Sequence, residues 1–526
     1  MAEYHVLSLL LCLPFVGALF CGLIWPQRNA GLLKGFAFAV MLLNFLIALS
    51  LFVRFEPKSG LQFVENYAWI TEYGISYYIG LDGLNLLMVL VTTLLMPVAL
   101  LSAWHRLNEK NAKVITGLLL FLEGSLLGAY VSLDVFLFYV FYETMLIPMV
   151  LLIFFYGGHK RAAAALKFFI YTVAGSLLML IALLVIYFRH YSQFGFYSAN
   201  IYSLAGVNIP ADLALKLFLT LLLAFAIKSP VFPFHSWLPD AYVEAPHVGS
   251  IVLAGLMGKV GIYGLFRIAL PLFPAQAVSI APAMAVLAVI AVIYGALIAT
   301  VQTDLKRLAA FLSFSHVGTI VLGVFVGNLQ GYHGAVIQMA NHALIIAAIF
   351  IMIGVLEDRR GSRQIQDFGG LSARVPGIAT VMMIVMLAAV GLPGLNGFIG
   401  EVLILFGAFK YNLVFGILAA TGMVTGAVCM FRMYEKVMFG PIGFSEIPFP
   451  DLKACEWLAL IILLIPIVWI GICPGTFLKK IEPDLKLHLV AIERQTNLIV
   501  AGQAKVPLAS EQRMMSDPVN TFRGRP

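Results

Sequence analysis

Apolar stretches of about 18 residues or more recur from one end of this sequence to the other, each long enough to cross a hydrocarbon layer about 30 Å thick as a helix. Of the 526 residues 61% are hydrophobic and 11% charged, whereas a water-soluble domain carries about a quarter charged residues. The expected fold class is therefore an all-α polytopic membrane protein. Fourteen spans fit, near 5–25, 32–53, 83–104, 114–132, 134–155, 165–187, 213–238, 247–269, 281–300, 307–326, 332–354, 376–406, 411–433 and 457–473. The first run follows Met1 to Tyr4, with no Lys or Arg before it and no small-residue cleavage site behind it, so it reads as a retained span.

A net charge of +7 raises nucleic acid as a partner, but the basic residues sit in short clusters between apolar runs, which is the pattern of membrane topology. Seventeen of the 33 Lys and Arg fall in odd-numbered loops, six in even-numbered loops and eight in the C-terminal tail. Odd loops are thus expected on the cytoplasmic side, with both termini outside. Two basic residues remain, Lys228 and Lys259, and both are inside spans. A lysine at mid-bilayer costs about 2.5–3.5 kcal/mol on insertion scales, so a chain that keeps two of them is expected to handle protons or ions.

The acidic counterparts are Glu143, Glu123 and Glu401. Glu143 is nine residues into its span, about 14 Å along a helix and close to the midplane. Each should face a polar interior and pair with a partner such as Lys228. Pro230 and Pro233 follow Lys228, and Gly391, Pro393, Gly394 and Gly397 precede Glu401, so a broken helix is expected beside each charge. One offset, 173 residues, carries Glu143 onto His316, Lys228 onto Glu401 and Lys259 onto Arg432. This favours two inverted-type repeats: 1–113 holds the first three spans, 114–270 and 281–440 the repeats, and 441–526 the last span and tail. The five cysteines, Cys12, Cys21, Cys429, Cys455 and Cys473, have none of the spacings of iron–sulfur, zinc or haem sites.

The segments FLFYVFYETMLIPM (136–149), FAIKSPVFPFHSWLPDAYVEAPHVGS (225–250), LAGLMGKVGIYGLFR (253–267), QTDLKRLAAFLSFSHVG (302–318) and GLPGLNGFIGEVLILFG (391–407) resemble the antiporter-like proteins of respiratory complex I and of Mrp-type cation/proton antiporters. The likeness runs over nearly the whole chain. Glutamate at 401, where L- and N-type chains carry lysine, and a length without a long lateral helix favour the M-type branch. The resemblance implies that Glu143 and Lys228 are an input pair, Lys259 a central relay, His316 and His342 further relay positions, and Glu401 an exit-side carrier. It also implies a bacterial inner-membrane location and, as partners, the bilayer and other membrane-arm subunits, especially chains L and N. Flavin, iron–sulfur clusters and quinone would belong to partner subunits, with no cofactor in this chain.

Blander roles stand beside these. Lys228 would bond carbonyls freed by the helix break, Glu143 would join helices, Glu123 would pack near a span edge, and the histidines would be packing residues. Asp134 is expected to cap its helix, and Asp304, Lys306 and Arg307 to form a solvated turn. Competing functions are an Mrp-type sodium/proton antiporter subunit, a membrane scaffold and a redox enzyme in its own right.

Overall fold

The computed structural model describes residues 5–24, 29–441 and 449–500. The elements are α1 (Val6–Leu19), α2 (Ala30–Arg54), β1 (Gln62–Ile70), β2 (Ile75–Leu81), α3 (Leu86–Ser102), α4 (Ala112–Val131), α5 (Val135–Thr144), α6 (Leu146–Tyr156), α7 (Arg161–Phe194), α8 (Ile201–Ala205), α9 (Ala211–Lys228), α10 (Trp237–Glu244), α11 (His247–Val252), α12 (Gly258–Gly264), α13 (Leu270–Leu272), α14 (Pro274–Thr300), α15 (Leu305–Phe325), α16 (Leu329–Arg360), α17 (Pro376–Ala389), α18 (Asn396–Tyr411), α19 (Leu413–Met438), α20 (Ala454–Ile472) and α21 (Gly475–Val500). Two π-helical segments, Leu253–Met257 and Leu265–Ala269, join α11 to α13 into one rod, His247–Leu272. Ten helices are long and apolar enough to cross a membrane, and three shorter apolar ones, Val6–Gly22, Leu86–Ser102 and Pro376–Ala389, accompany them among the described residues. The chain is thus a helical, multi-pass membrane protein, as its apolar runs require.

Helix ends follow local chemistry. Asp134 caps α5 by accepting from Phe136 N at 2.9 Å and Leu137 N at 3.1 Å, and Asp304 caps α15 by accepting from Arg307 N at 3.0 Å. Gly195 (φ 75°) and Gly361 (φ 71°) end α7 and α16 in the left-handed conformation that lacks a Cβ penalty. The outer helices show lipid-facing stripes: on α7, Leu166, Ile170, Leu177 and Ile181 are exposed at helical spacing while Phe168, Thr172 and Met179 turn inward. Three of the ten long helices are enclosed instead. The most apolar windows of the rod His247–Leu272, of α15 and of α16 are 100%, 94% and 100% buried, and these three carry Lys259, His316 and His342.

Loops alternate between two faces. Arg106, Gly157, Glu244, Lys306 and Glu357, drawn from five odd-numbered loops and their flanks, surround one cleft. On the opposite face two elements appear that hydropathy does not signal. One is the antiparallel hairpin of β1 and β2, with Asn66 opposite Tyr78 and Ala68 opposite Ser76; it docks on the start of α5 through Ser76 N to Asp134 Oδ2 at 3.0 Å. The other is α21, which lies over this face with Ile481 and Leu485 buried. Of the eight basic tail residues, Lys505, Arg513, Arg523 and Arg525 lie outside the described residues, as do Arg28 of the first loop and the Met1–Tyr4 flank.

Two basic residues assigned to loops are in fact enclosed. Lys306, expected in a solvated turn, is 4% exposed, with its ammonium 3.4 Å from Ala245 O and 3.8 Å from Glu357 Oε2. The odd-loop segments fold over it. Arg267, counted in an even loop, is also 4% exposed and donates to Asp82 Oδ1 at 2.6 Å and to the Tyr263 hydroxyl at 2.9 Å. Its partner sits at the end of the hairpin, 185 residues away in sequence.

Asp484 fastens α21 by accepting from Gly60 N and Gly83 N, both at 2.6 Å, at the two ends of the hairpin. Burial, then the nearby charge of Asp82, pushes its carboxyl up to about 7 from 3.8. His488, packed between Phe266 and Tyr332, is pushed down to about 4 from 6.5, mainly by burial and next by Arg267. The two signs are opposite. A raised carboxyl stabilises docking at low pH and loses that contribution as pH rises through about 7; a depressed histidine stabilises it above 6.5 and loses that contribution as pH falls towards about 4. In His488→Gln, protection of α21 from deuterium exchange should therefore fall from pH 4 to pH 7, and in Asp484→Asn it should rise from pH 4 to pH 6.5. Slopes of the same sign in both variants, after correction for intrinsic exchange, would refute this assignment.

Candidate functional site

The break expected after Lys228 is present. Lys228 is the last residue of α9, and the chain resumes a helix only at Trp237. Carbonyls freed by the prolines are claimed locally: Ile227 O accepts from Trp237 Nε1 at 2.9 Å, and Ala226 O accepts from Val231 N at 2.8 Å. Lys228 therefore is not needed to satisfy them. Its side chain is 2% exposed, its ammonium has no hydrogen-bond partner, and it stands 4.8 Å over the Tyr142 ring. A π face and the negative end of a helix dipole are what favour the cation there.

Glu143 follows Tyr142 at the end of α5, where a discontinuity at Met145 separates α5 from α6. Its Oε1 is buried without a hydrogen-bond partner. Glu143 is next in sequence to the ring beneath Lys228, yet no ion pair closer than 4.0 Å joins them among the described residues. The two are neighbours across a gap, where the sequence suggested a contact pair. Glu123 stands apart from both. It is 0% exposed in α4 and accepts from Asn44 Nδ2 of α2 at 2.9 Å, leaving Glu123 Oε2 and Asn44 Oδ1 without protein partners.

Lys259 is 0% exposed on α12, between the two π-helical segments. Such segments leave carbonyls off the regular ladder, and the Lys259 ammonium donates to one of the first segment, Ala254 O. The close approach of this rod to the end of α9 depends on Gly261, where a Cβ would stand 2.2 Å from Ser229 Oγ and 2.8 Å from Phe225 O. From Lys259 the polar groups continue. His342, 3% exposed, is on α16, which packs against the first π-helical segment beside Lys259; the rings of His316 and His342 have centroids 5.6 Å apart; and His316 Nδ1 is 3.1 Å from Glu401 Oε1. A cavity lined by Ser313, His316, Gln338 and His342 lies along this line. Both ring nitrogens of His342 and the Ser313 hydroxyl are buried without protein partners, the condition in which polar groups bind water.

Glu401 sits on α18 just past the second break, between Ala389 and Asn396. Its Oε2 occupies the space a side chain would need at Gly391 (φ 77°), 2.7 Å from a Cβ built there. Here the glycine serves both the backbone and the carboxylate.

Of the seven residues singled out in the sequence, Lys259, His342, His316 and Glu401 form one line, Glu143 and Lys228 face each other across a gap, and Glu123 is held by Asn44. Sequence reasoning missed Asn44, Gln338, Asn341 and Asn396, all at most 1% exposed. The available signal was a neutral polar residue inside an apolar run, as in MLLNFLIAL around Asn44.

The profile of the family described as NADH:quinone oxidoreductase/Mrp antiporter, transmembrane, matches residues 132–427. The NADH-quinone oxidoreductase subunit M of Rickettsia prowazekii (strain Madrid E) is 37% identical over 494 residues, covering 93% of this chain and all of that relative. Among solved structures, a chain of respiratory complex I from Thermus thermophilus with bound NADH superposes with a TM-score of 0.84 at 31% identity, over 92% of this chain and 99% of that one. A chain of the Mrp complex from Dietzia sp. DQ12-45-1b shares the fold, with a TM-score of 0.81 at 20% identity over 95% of this chain and 99% of that one.

The contact at Gly261 is testable. Gly261→Ala forces its Cβ into backbone that cannot turn aside, so it should destabilise the detergent-solubilised protein by about 1–3 kcal/mol and lower its melting temperature. Gly258→Ala on the same helix, where the nearest atom is 3.9 Å away, should be neutral. Equal melting temperatures for the two variants would show that the approach of α12 to α9 is not tight.

Proposed function

The chain belongs to the NADH:quinone oxidoreductase/Mrp antiporter family of transmembrane proteins, and from that footing we propose that it is the M-type, proton-translocating membrane-arm subunit of respiratory complex I in a bacterial inner membrane. The observation that carries this reading is the run of His342, His316 and Glu401 beside the buried Lys259, three of the four carried by helices almost wholly enclosed by the rest of the bundle. Protons travel along it by exchange between ionisable groups and the water their unpartnered atoms bind. Glu401 is the exit-side carrier.

Lys228 and Glu143 are the switch at the other end. Two unit charges brought to about 4 Å at an effective dielectric of about 20 attract by about 4 kcal/mol. Moving one charge across the whole membrane costs about 2.3 kcal/mol per 100 mV. Closing or opening this one pair is therefore large enough to bias a transfer against the membrane potential. The separated arrangement, with the ammonium on Tyr142, is the open setting of that switch. Glu123, held by Asn44, is a further proton-binding carboxyl beside it.

We further propose that 114–270 and 281–440 are two repeats of opposite orientation within fourteen spans, flanked by 1–113 and 441–526. Matching caps support this: Asp134 starts α5 and bridges to Asn200, while Asp304 starts α15 and bridges to Gln364 on the other face. Quinone reduction, with its flavin and iron–sulfur clusters, takes place in partner subunits and drives this chain, whose neighbours in the arm are the antiporter-like chains L and N. Copurification of flavin and iron–sulfur subunits separates this assignment from a stand-alone Mrp-type antiporter.

Glu143→Ala and Lys228→Ala should each leave the complex assembled and lower proton pumping per NADH oxidised by about tenfold or more, which corresponds to about 1.4 kcal/mol or more on the coupled step. Normal pumping by both variants in inverted membrane vesicles would sink the switch. Glu401→Gln should impair pumping without loss of assembly, whereas Glu401→Lys, which keeps a titratable group, should retain part of it. Equal activity of the two Glu401 variants would remove Glu401 from the path.

A further inference from the structure

The break before α18 is held by three carboxamides. Gln338 and Asn341 of α16 and Asn396, the first residue of α18, are 1%, 0% and 0% exposed. Asn341 Nδ2 donates to the backbone carbonyl of Asn396 at 2.8 Å and to Gln338 Oε1 at 3.3 Å. Asn396 Nδ2 returns a longer bond to Asn341 O at 3.4 Å. Gln338 lies against Gly400, where a Cβ would stand 2.1 Å from its Oε1, and it lines the cavity shared with His316 and His342. Gly400 immediately precedes Glu401, and Asn341 immediately precedes His342. The carboxamides thus touch α18 at its first residue and at the residue before the carboxylate.

If these residues were needed only to join two helices, apolar side chains of the same size would do so without burying the Asn341 and Asn396 carboxamide oxygens unpartnered, as they are. What amides add is direction. The segment leading into α18 contains Gly391 (φ 77°) and Gly394 (φ 95°), and glycines in that region place little restraint on the rotation of the helix that follows. The rotation of the first turn of α18 must be fixed from outside. Glu401, five residues into the helix, points wherever that turn directs it.

We propose that Gln338, Asn341 and Asn396 form a positioning clamp for the relay, which sets the rotation of α18 against α16 so that Glu401 stands within hydrogen-bonding distance of His316 on α15. This inference rests on the proton-carrying role of Glu401. The three residues exchange no proton themselves and act only through Glu401.

The test uses the whole complex in inverted membrane vesicles, reading the rate of acidification per NADH oxidised across a range of pH for Asn341→Leu, Gln338→Leu, Glu401→Gln and the double variants with Glu401→Gln. Asn341→Leu should lower that ratio by about threefold to tenfold, the effect of losing one buried hydrogen bond, and should displace the pH profile of pumping. In the double variant the loss should be no greater than in Glu401→Gln alone, because one residue acts through the other. Should Asn341→Leu fail to assemble, the cycle of Gln338→Leu with Glu401→Gln is read by the same criteria. Normal pumping with an unmoved pH profile in Asn341→Leu and Gln338→Leu overturns the clamp, as does a double variant whose loss is the product of the single losses. If Glu401→Gln itself pumps normally, the proton-carrying role of Glu401 falls, and the clamp with it.

Discussion

Ionisable side chains held away from both water and lipid are the constraint around which this protein is built. A charge enclosed among apolar helices has to find its compensation in the protein, and the chain does this in two distinct ways. At the rims the pairing is complete: Arg267 meets Asp82 at 2.6 Å, and Arg359 meets Glu456 through two bonds of 2.6 and 3.1 Å while also donating to the carbonyls of Pro450 and Asp451. Such charge-assisted pairing, bidentate at Arg359, fixes one arrangement. In the middle of the bundle the pairing is partial, with Lys228 on a ring face, Glu143 and Glu123 each leaving an oxygen unpartnered, and His342 bonded at neither nitrogen. Groups that are completely paired hold structure; groups left incomplete are free to change protonation state.

The backbone is irregular where those central groups lie. Lys228 ends a helix, Glu143 precedes a discontinuity, Lys259 sits between two π-helical segments, and Glu401 follows a break containing two left-handed glycines. An unbroken α-helix uses all of its interior carbonyls and amides internally. Interrupting it releases carbonyls, and here Ala254 O receives the Lys259 ammonium. Irregular backbone at membrane depth is tolerated only where protein or a water-lined cavity covers it, which is why these residues lie on or against the enclosed helices and not on the lipid-facing α7 or α19.

A good part of this was legible in the chain. The membrane-spanning class follows from the length of apolar runs, and the two embedded lysines follow from assigning every other basic residue to a loop or the tail. Pro230, Pro233, Gly391 and Gly394 mark the two breaks, and Asp134 announces a helix start. These are local properties: transfer of a segment from water, a missing backbone donor, a side chain that caps its own turn. Each is decided within a few residues of sequence.

Only the tertiary structure decided which polar groups meet. Asn44 finds Glu123 across 79 residues, and Asp484 reaches the hairpin across more than 400. Glu143 and Lys228 stop short of contact, Lys306 is covered by loops that looked exposed, and His316 faces Glu401 because α15 and α18 pack side by side. The alternation of apolar and polar residues states that a helix has an inside, but which neighbour lies there depends on side-chain volume, on glycines such as Gly261 and Gly400 that admit close approach, and on hydrogen bonds that form only once the helices are already together. The need for buried partners was written in the sequence; their identity was settled by packing.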